Sequence, residues 1–316
     1  MKTLLLTTAF TCAAIGAQAQ VLTISTTNPG GLTHSIGSAI AKTITDTTDI
    51  NAVVVPAGGS PMPAVAGGEA DCGINVAFDV SYYTNGTAFY ESEGKHENLR
   101  MVAAVLPSQV TLYVRTDAEA HDIADLKGQR YPGGLNAQLA IGAVYDTYLK
   151  LAGLSRDDVE SIPAQSIVQA ANDFASGRND TFLFSVGSAK VLEVDSSVGG
   201  LKALQIDASD ANKAILAENL PGATFVALQP GAAPQIVEET NVIAYDLVLF
   251  CAESVPDETV AALTQVVHDN KSALAESFKA MNRFEPANMA PKVPGVDYHP
   301  GAVSYYETTD LWPPKG

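Results

Sequence analysis

Between residues 21 and 76 the chain alternates strand-like and helix-like segments, and each strand enters its helix through a turn of Gly, Pro, Asn and Ser. Val21 to Ser25 is β-rich and ends in Thr26-Thr27-Asn28-Pro29-Gly30-Gly31. From Leu32, Ile36, Ile40 and Ile44 recur every fourth residue, the spacing of one helix face. Ile50 to Val55 reads as the next strand and Pro56 to Ser60 as a turn, with Pro61 suited to a first helical turn. Ala70 to Val76 is a third strand. A helix between two strands returns the chain to the edge where the first strand began, so the strands run parallel with crossover helices.

The same order restarts further on. Met101 to Val114 is a long apolar run interrupted by Pro107. Residues 123–130 read as a short helix feeding a strand that ends at Pro132-Gly133-Gly134. A helix from Asn136 or Ala137 to Leu151, a strand Val159 to Ile162, a helix Ile167 to Ser176 and strands at Thr181 to Phe184 and Leu201 to Ile206 follow. Val242 to Cys251 is a second long strand, placed to run back beside residues 110–116, and Pro256 to Ala275 is a helix. With 316 residues the length suits two domains. The expectation is an α/β chain of two lobes, 21–116 with 241–316 and 117–240, joined by a two-strand hinge. The Pro- and Gly-rich tail from Pro286 to Pro314 is expected to wrap a lobe.

Residues 1–19 have the form of a cleaved signal peptide: Lys2, an apolar run from Leu4 to Ile15, and Ala17-Gln18-Ala19 before the cut. The run is shorter than the ~20 apolar residues of a spanning helix. An exported, periplasmic protein is expected. The formal net charge of −17 excludes nucleic acid as a partner, because phosphates are held by Lys and Arg. Cys72 and Cys251 lie in apolar strand-like runs. An oxidising compartment permits a bridge, but buried free thiols are the commoner state at such positions and are the expectation here.

In open parallel sheets solutes bind beyond the carboxyl ends of the strands, at helix starts. Four sets of turn residues sit there. Asn28, Gly30, Gly31 and Thr33 form the first, where glycine lets a solute approach the backbone and a helix start offers free N–H groups. Ser60 is the second, also read as a helix cap. Asn75 is the third, beside Phe78 and Asp79, with capping of the next helix as its structural alternative. Asn136 and Gln138, then Ser185 and Ser188, form the fourth. No Lys or Arg occurs inside these turns, so a carboxylate would be held by backbone N–H groups and neutral side chains. Arg115 and Arg130 are the nearest cations and are read as structural or surface ion pairs.

Catalysis has no visible constellation. His34, His96, His121, His268 and His299 show no ligand-like spacing with one another or with cysteine, so no metal is expected. Residues 134–138 lack a phosphate-loop lysine, and Gly-x-Ser-x-Gly is absent. The reading is a non-enzymatic binder without cofactor.

The tail Tyr298-His299-Pro300-Gly301-Ala302-Val303-Ser304-Tyr305-Tyr306-Glu307 resembles the C-terminal pattern of TAXI-type solute-binding proteins of TRAP transporters. Gly58-Gly59-Ser60, Gly68-Glu69-Ala70-Asp71, Asp125-Leu126-Lys127-Gly128 and Ser176-Gly177-Arg178-Asn179-Asp180 extend the resemblance over nearly the whole length after the leader. It implies a type II-like periplasmic-binding-protein fold, a monomer that closes around an organic acid or an amino acid such as glutamate, and delivery to TRAP membrane subunits. A sensor input, a binding protein of an ABC importer and an enzyme on the same fold are the alternatives. The first turn departs from the family's T-G-S-T-G-G-T-Y-Y, with Asn28 in place of a serine and Thr33 and His34 in place of the tyrosines. The second-lobe G-S-G-T is replaced by the neighbourhood of Asn136 and Gln138, so the solute does not follow from the resemblance.

Overall fold

The structure is a computed structural model, and it describes residues 21–136 and 138–314. The expected signal peptide lies outside the described residues. The chain begins β1 (Val21–Thr26), α1 (Leu32–Thr47), β2 (Asn51–Pro56), α2 (Met62–Ala66), β3 (Cys72–Val76) and α3 (Ala77–Asn85). β1 pairs in parallel with both β2 and β3, as the crossover pattern required. Ile36, Ile40 and Ile44 are fully buried, so the every-fourth spacing marks the face of α1 that covers the sheet.

Two long strands organise the rest. β4 (Leu99–Arg115) leads through β5 (Arg130–Gly134), α4 (Leu139–Leu151), β6 (Glu160–Ala164), α5 (Ile167–Ala175), β7 (Phe182–Ser185), α6 (Ala189–Val198), β8 (Leu201–Ala203), α7 (Asp210–Asn219) and β9 (Thr224–Leu228) to β10 (Thr240–Ala252). β10 lies antiparallel to β4 from Ala252↔Leu99 to Ile243↔Val110. At one end β3 joins β10. At the other end β7 and β8 join β4, and β9 joins β10. Both strands therefore serve two groups of elements. The register shifts at Leu247/Val248 and Leu249/Phe250, next to the stretch opposite Pro107, which has no N–H to give to a ladder. β5 and β6 form a separate parallel pair.

The chain closes with α8 (Asp257–Asp269), α9 (Lys271–Ser277) and α10 (Pro300–Tyr306). The predicted single helix 256–275 is broken at Asn270, which leaves helical geometry at φ −115°. The tail does pack on the body. Met101 bridges the tail at Tyr298, its N donating to Asp297 O at 2.8 Å and its O accepting from His299 N at 2.8 Å. Pro300 opens α10 with its fixed φ, and the His299 Nδ1 caps it by accepting from Gly301 N at 3.2 Å. Tyr306 Oη donates to Val102 O at 2.6 Å on β4. The tail motif is thus a packing device that ties α10 to α8 and β4.

One expectation is corrected. Cys72 and Cys251 are not free thiols but a disulfide. They face each other directly in the β3–β10 ladder, a register that no reading of separate strands supplies. The bridge staples the end of β10 to β3, the strand of the first parallel unit that adjoins it.

Candidate functional site

A narrow cavity of about 80 Å³ lies where five helix starts and the middle of the long strands meet. Thr27, Gly31, Leu32 and Thr33 come from the β1–α1 turn, Ser60 from the β2–α2 turn, and Asn75, Val76 and Asp79 from the end of β3 and the first turn of α3. Opposite stand Gln138, Ala140 and Ile141 at the start of α4, and Ile167 at the start of α5. Ser108 and Val110 of β4, Phe184 and Ser185 of β7, and Tyr245 and Leu247 of β10 form the floor.

Of the ten residues predicted for the site, the structure brings six to this cavity: Gly31, Thr33, Ser60, Asn75, Gln138 and Ser185. The other four serve the turns around it. Asn28 donates to Gly58 O at 3.4 Å and links the first two turns. Gly30 is exposed and supplies a left-handed turn at φ +89°. Asn136 is exposed. Ser188 caps α6, its Oγ accepting from Val191 N at 3.3 Å. Arg115 lies over the Phe174 ring and Arg130 bonds Asp180, both away from the cavity.

The missed residues are mostly apolar or belong to the long strands: Ser108, Ile141, Ile167, Phe184, Tyr245 and Leu247. Ser108 carried one signal, a hydroxyl directly after Pro107 inside an apolar run. Tyr245 and Leu247 carried none, because a residue at the crossing of two strands reads as core.

The donors are neutral. The Gly31 cap of α1 makes no side-chain hydrogen bond, and the first turn of α1 holds no acid, so its leading N–H groups have no side-chain cap beside the cavity. Thr33 Oγ1 is tied to Thr27 Oγ1 at 2.6 Å, which fixes the turn beside those N–H groups. Gln138 Oε1 accepts from Ile167 N at 2.8 Å, so the start of α5 orients the amide of Gln138. Ser185 Oγ lies 3.4 Å from Ser108 Oγ, pairing β7 and β4 at the floor.

A buried polar triad closes one wall. Asp79 is 2% exposed. Its Oδ2 accepts from Asn75 Nδ2 at 2.7 Å and its Oδ1 from Tyr90 Oη at 3.0 Å. Asn75 Oδ1 accepts in turn from Val76 N at 2.9 Å, so Asn75 is held in one orientation. The capping role considered for Asn75 and Asp79 is not the one they take: the start of α3 has no side-chain cap. Burial pushes the Asp79 carboxyl up to about 7, against the lowering effect of its two donors. Among the described lining residues there is no Lys, Arg or His, and Asp79 is the one carboxylate. If it is ionised, an anion about 5 Å away is repelled by about 3 kcal/mol at an effective dielectric constant of about 20.

No helix of the described residues is long and apolar enough to cross a membrane, and no group of His, Cys, Asp and Glu among them could hold a metal. The architecture is that of periplasmic binding proteins. The aliphatic sulphonate binding protein SsuA from Escherichia coli superposes with a TM-score of 0.51 at 15% identity, over 93% of this chain and 87% of that one. PhnD1 from Prochlorococcus marinus, solved with methylphosphonate, gives 0.56 at 11% identity over 85% and 93%. The ligand-binding component of an ABC-type import system from Staphylococcus aureus gives 0.55 at 9% identity over 94% of each. These likenesses establish the two-lobed α/β fold that the sequence predicted. A model of the NMT1-like family matches residues 24–308, nearly the whole described chain, and the protein belongs to that family.

Proposed function

We propose that the protein is a periplasmic solute receptor that captures a small organic acid or amino acid in this cavity and delivers it to a membrane transporter, acting as a monomer and without turnover. The observation that carries the reading is the arrangement of the cavity. The starts of α1, α3 and α4, which have no side-chain cap, and neutral hydroxyl and amide groups converge on a space whose described lining has no nucleophile–base pair. Residues 21–116 with 241–316 form one lobe and 117–240 the other, and β4 and β10 form the hinge. A solute that touches Thr33 and Asn75 on one side and Gln138 on the other stabilises the closed arrangement over the open one. Its carboxylate sits at the start of α1. Titration calorimetry against a library of amino acids and small organic acids, with X-ray scattering on the same samples, tests this. A binder that also reduces the radius of gyration is the expected result. Absence of binding across the library, with an unchanged radius, would sink the reading, and conversion of a bound solute would make the protein an enzyme.

The tail motif supports membrane subunits of the TAXI-type TRAP class as the partner. The likeness to an ABC-type import component from Staphylococcus aureus favours a second reading, in which uptake is ATP-driven. Uptake of the identified solute into vesicles that carry the neighbouring membrane subunits separates the two. Dependence on an ion gradient supports the first, and dependence on ATP the second.

A further inference from the structure

The described lining of a cavity read as an acid site holds one carboxylate and no cation, and Asp79 sits there nearly sealed from solvent. Its two internal partners, Asn75 Nδ2 and Tyr90 Oη, both donate to it. A proton on Asp79 therefore does two things at once. It removes the charge that repels an acidic solute, and it turns a carboxyl that lines the cavity from an acceptor-only group into one that can also donate. The same carboxyl holds Asn75, and through it the Ser60 hydroxyl 3.4 Å away, on the solute-facing wall.

Resting on the reading of the cavity as an acid-binding site, we propose that Asp79 is a proton-linked specificity residue: it takes up one proton as an acidic solute enters, so that capture is a joint binding of anion and proton. Burial already holds the carboxyl at about 7, so a neighbouring anion shifts its protonation within the neutral range. Dianions, which bring more repulsion than one proton relieves, are discriminated against.

Other titratable groups surround Asp79. Tyr90 bonds it directly, and Glu93 acts on Tyr90 and Tyr83 from the same loop. His96 stacks on Tyr83 at 4.1 Å, Tyr82 lies on α3 itself, and Tyr245 lines the cavity from β10. The experiment has to separate Asp79 from these.

L-Glutamate, pyruvate and succinate are the probes, titrated by calorimetry from about pH 6 to about pH 8.5 in buffers of low and high ionisation enthalpy. The expected result is uptake of close to one proton for a bound acid at about pH 8, and an affinity that falls about tenfold per pH unit above about 7. Asp79→Asn is expected to abolish the uptake and flatten the pH profile. Tyr90→Phe removes a donor to the carboxylate and is expected to move the falling limb to higher pH. The wild-type proton count needs no variant to fold. Binding with no proton uptake, or a pH profile that survives Asp79→Asn and so belongs to another group, overturns the proposal and leaves the binding function standing. Failure of all three acids and of the wider library to bind removes both.

Discussion

A methyl group at Gly301 would stand 2.1 Å from the carbonyl oxygen of Asp257, which belongs to the backbone and has no rotamer to yield. The helix start at Pro300 can approach α8 only because this position carries no side chain. Gly301→Ala is expected to destabilise the protein by about 3 kcal/mol, read from the midpoint of denaturant unfolding. A change within experimental error would show that the two helices can separate freely. Asp79 is the second residue with a strong individual effect. Its carboxyl rises from 3.8 in the unfolded chain to about 7 in the fold, so the folded state binds the extra proton between these values. The stability this gives is complete below about pH 4 and is lost as pH climbs through about 7, by up to about 4 kcal/mol. Wild type is therefore expected to lose melting temperature relative to Asp79→Asn between about pH 4 and 7. Parallel curves would mean that Asp79 is not desolvated. His299 works in the opposite direction: burial lowers it, so its contribution is present above its unfolded value of 6.5 and fades as pH falls below that. At this scale the sequence was informative about turns and silent about walls. Gly31, Thr33, Ser60 and Asn75 were visible because polar and small residues follow apolar strands. Asp79 was visible only as a helix-start acid, since its burial depends on Tyr90 folding back over it.

At the scale of elements, the parts with one strong face were legible. α1 carries a stripe of isoleucines, and β4 and β10 are long apolar runs, and all three lie within a few residues of their predicted bounds. α7 and β9 were not predicted at all. α7 buries only Asn212 and Leu216, so it has no apolar period to detect, and every residue of β9 is half-buried or exposed along the side of β10. The disulfide belongs to the same class of omission. Each cysteine looked like an ordinary apolar strand residue, and only the antiparallel register of β3 and β10 puts Cys72 opposite Cys251. Because the bridge closes a loop of 179 residues, it restricts the unfolded chain strongly. The Cys72→Ala/Cys251→Ala variant is expected to be less stable by about 2–5 kcal/mol in guanidinium unfolding. Reductant should give a similar loss only once the protein is unfolded, because both sulfurs are buried. A native-state reduction as fast as that of an exposed thiol pair would contradict the buried staple.

At the scale of the whole molecule, charge and site pull in different directions. The chain carries 35 acidic and 18 basic residues, a formal net charge of −17. The described cavity wall adds a carboxylate and no cation, so nothing local reverses the sign of the field an approaching acid meets. Receptors of anions commonly use a positive surface to speed encounter, and added salt slows them. Here the expectation is reversed. Salt shortens the screening length to about 10 Å at 0.1 M and weakens the long-range repulsion, while the short contacts proposed for the start of α1 would lie inside that length and be little affected. Stopped-flow association of an acidic solute should therefore accelerate, about two- to fivefold between 10 mM and 0.5 M sodium chloride, with the dissociation rate nearly constant. A neutral solute of similar size should show no such trend. An association rate that falls with salt would mean that the acid is drawn in by a positive path that the lining residues do not reveal, and the carboxylate would then be held by a cation rather than by helix N–H groups.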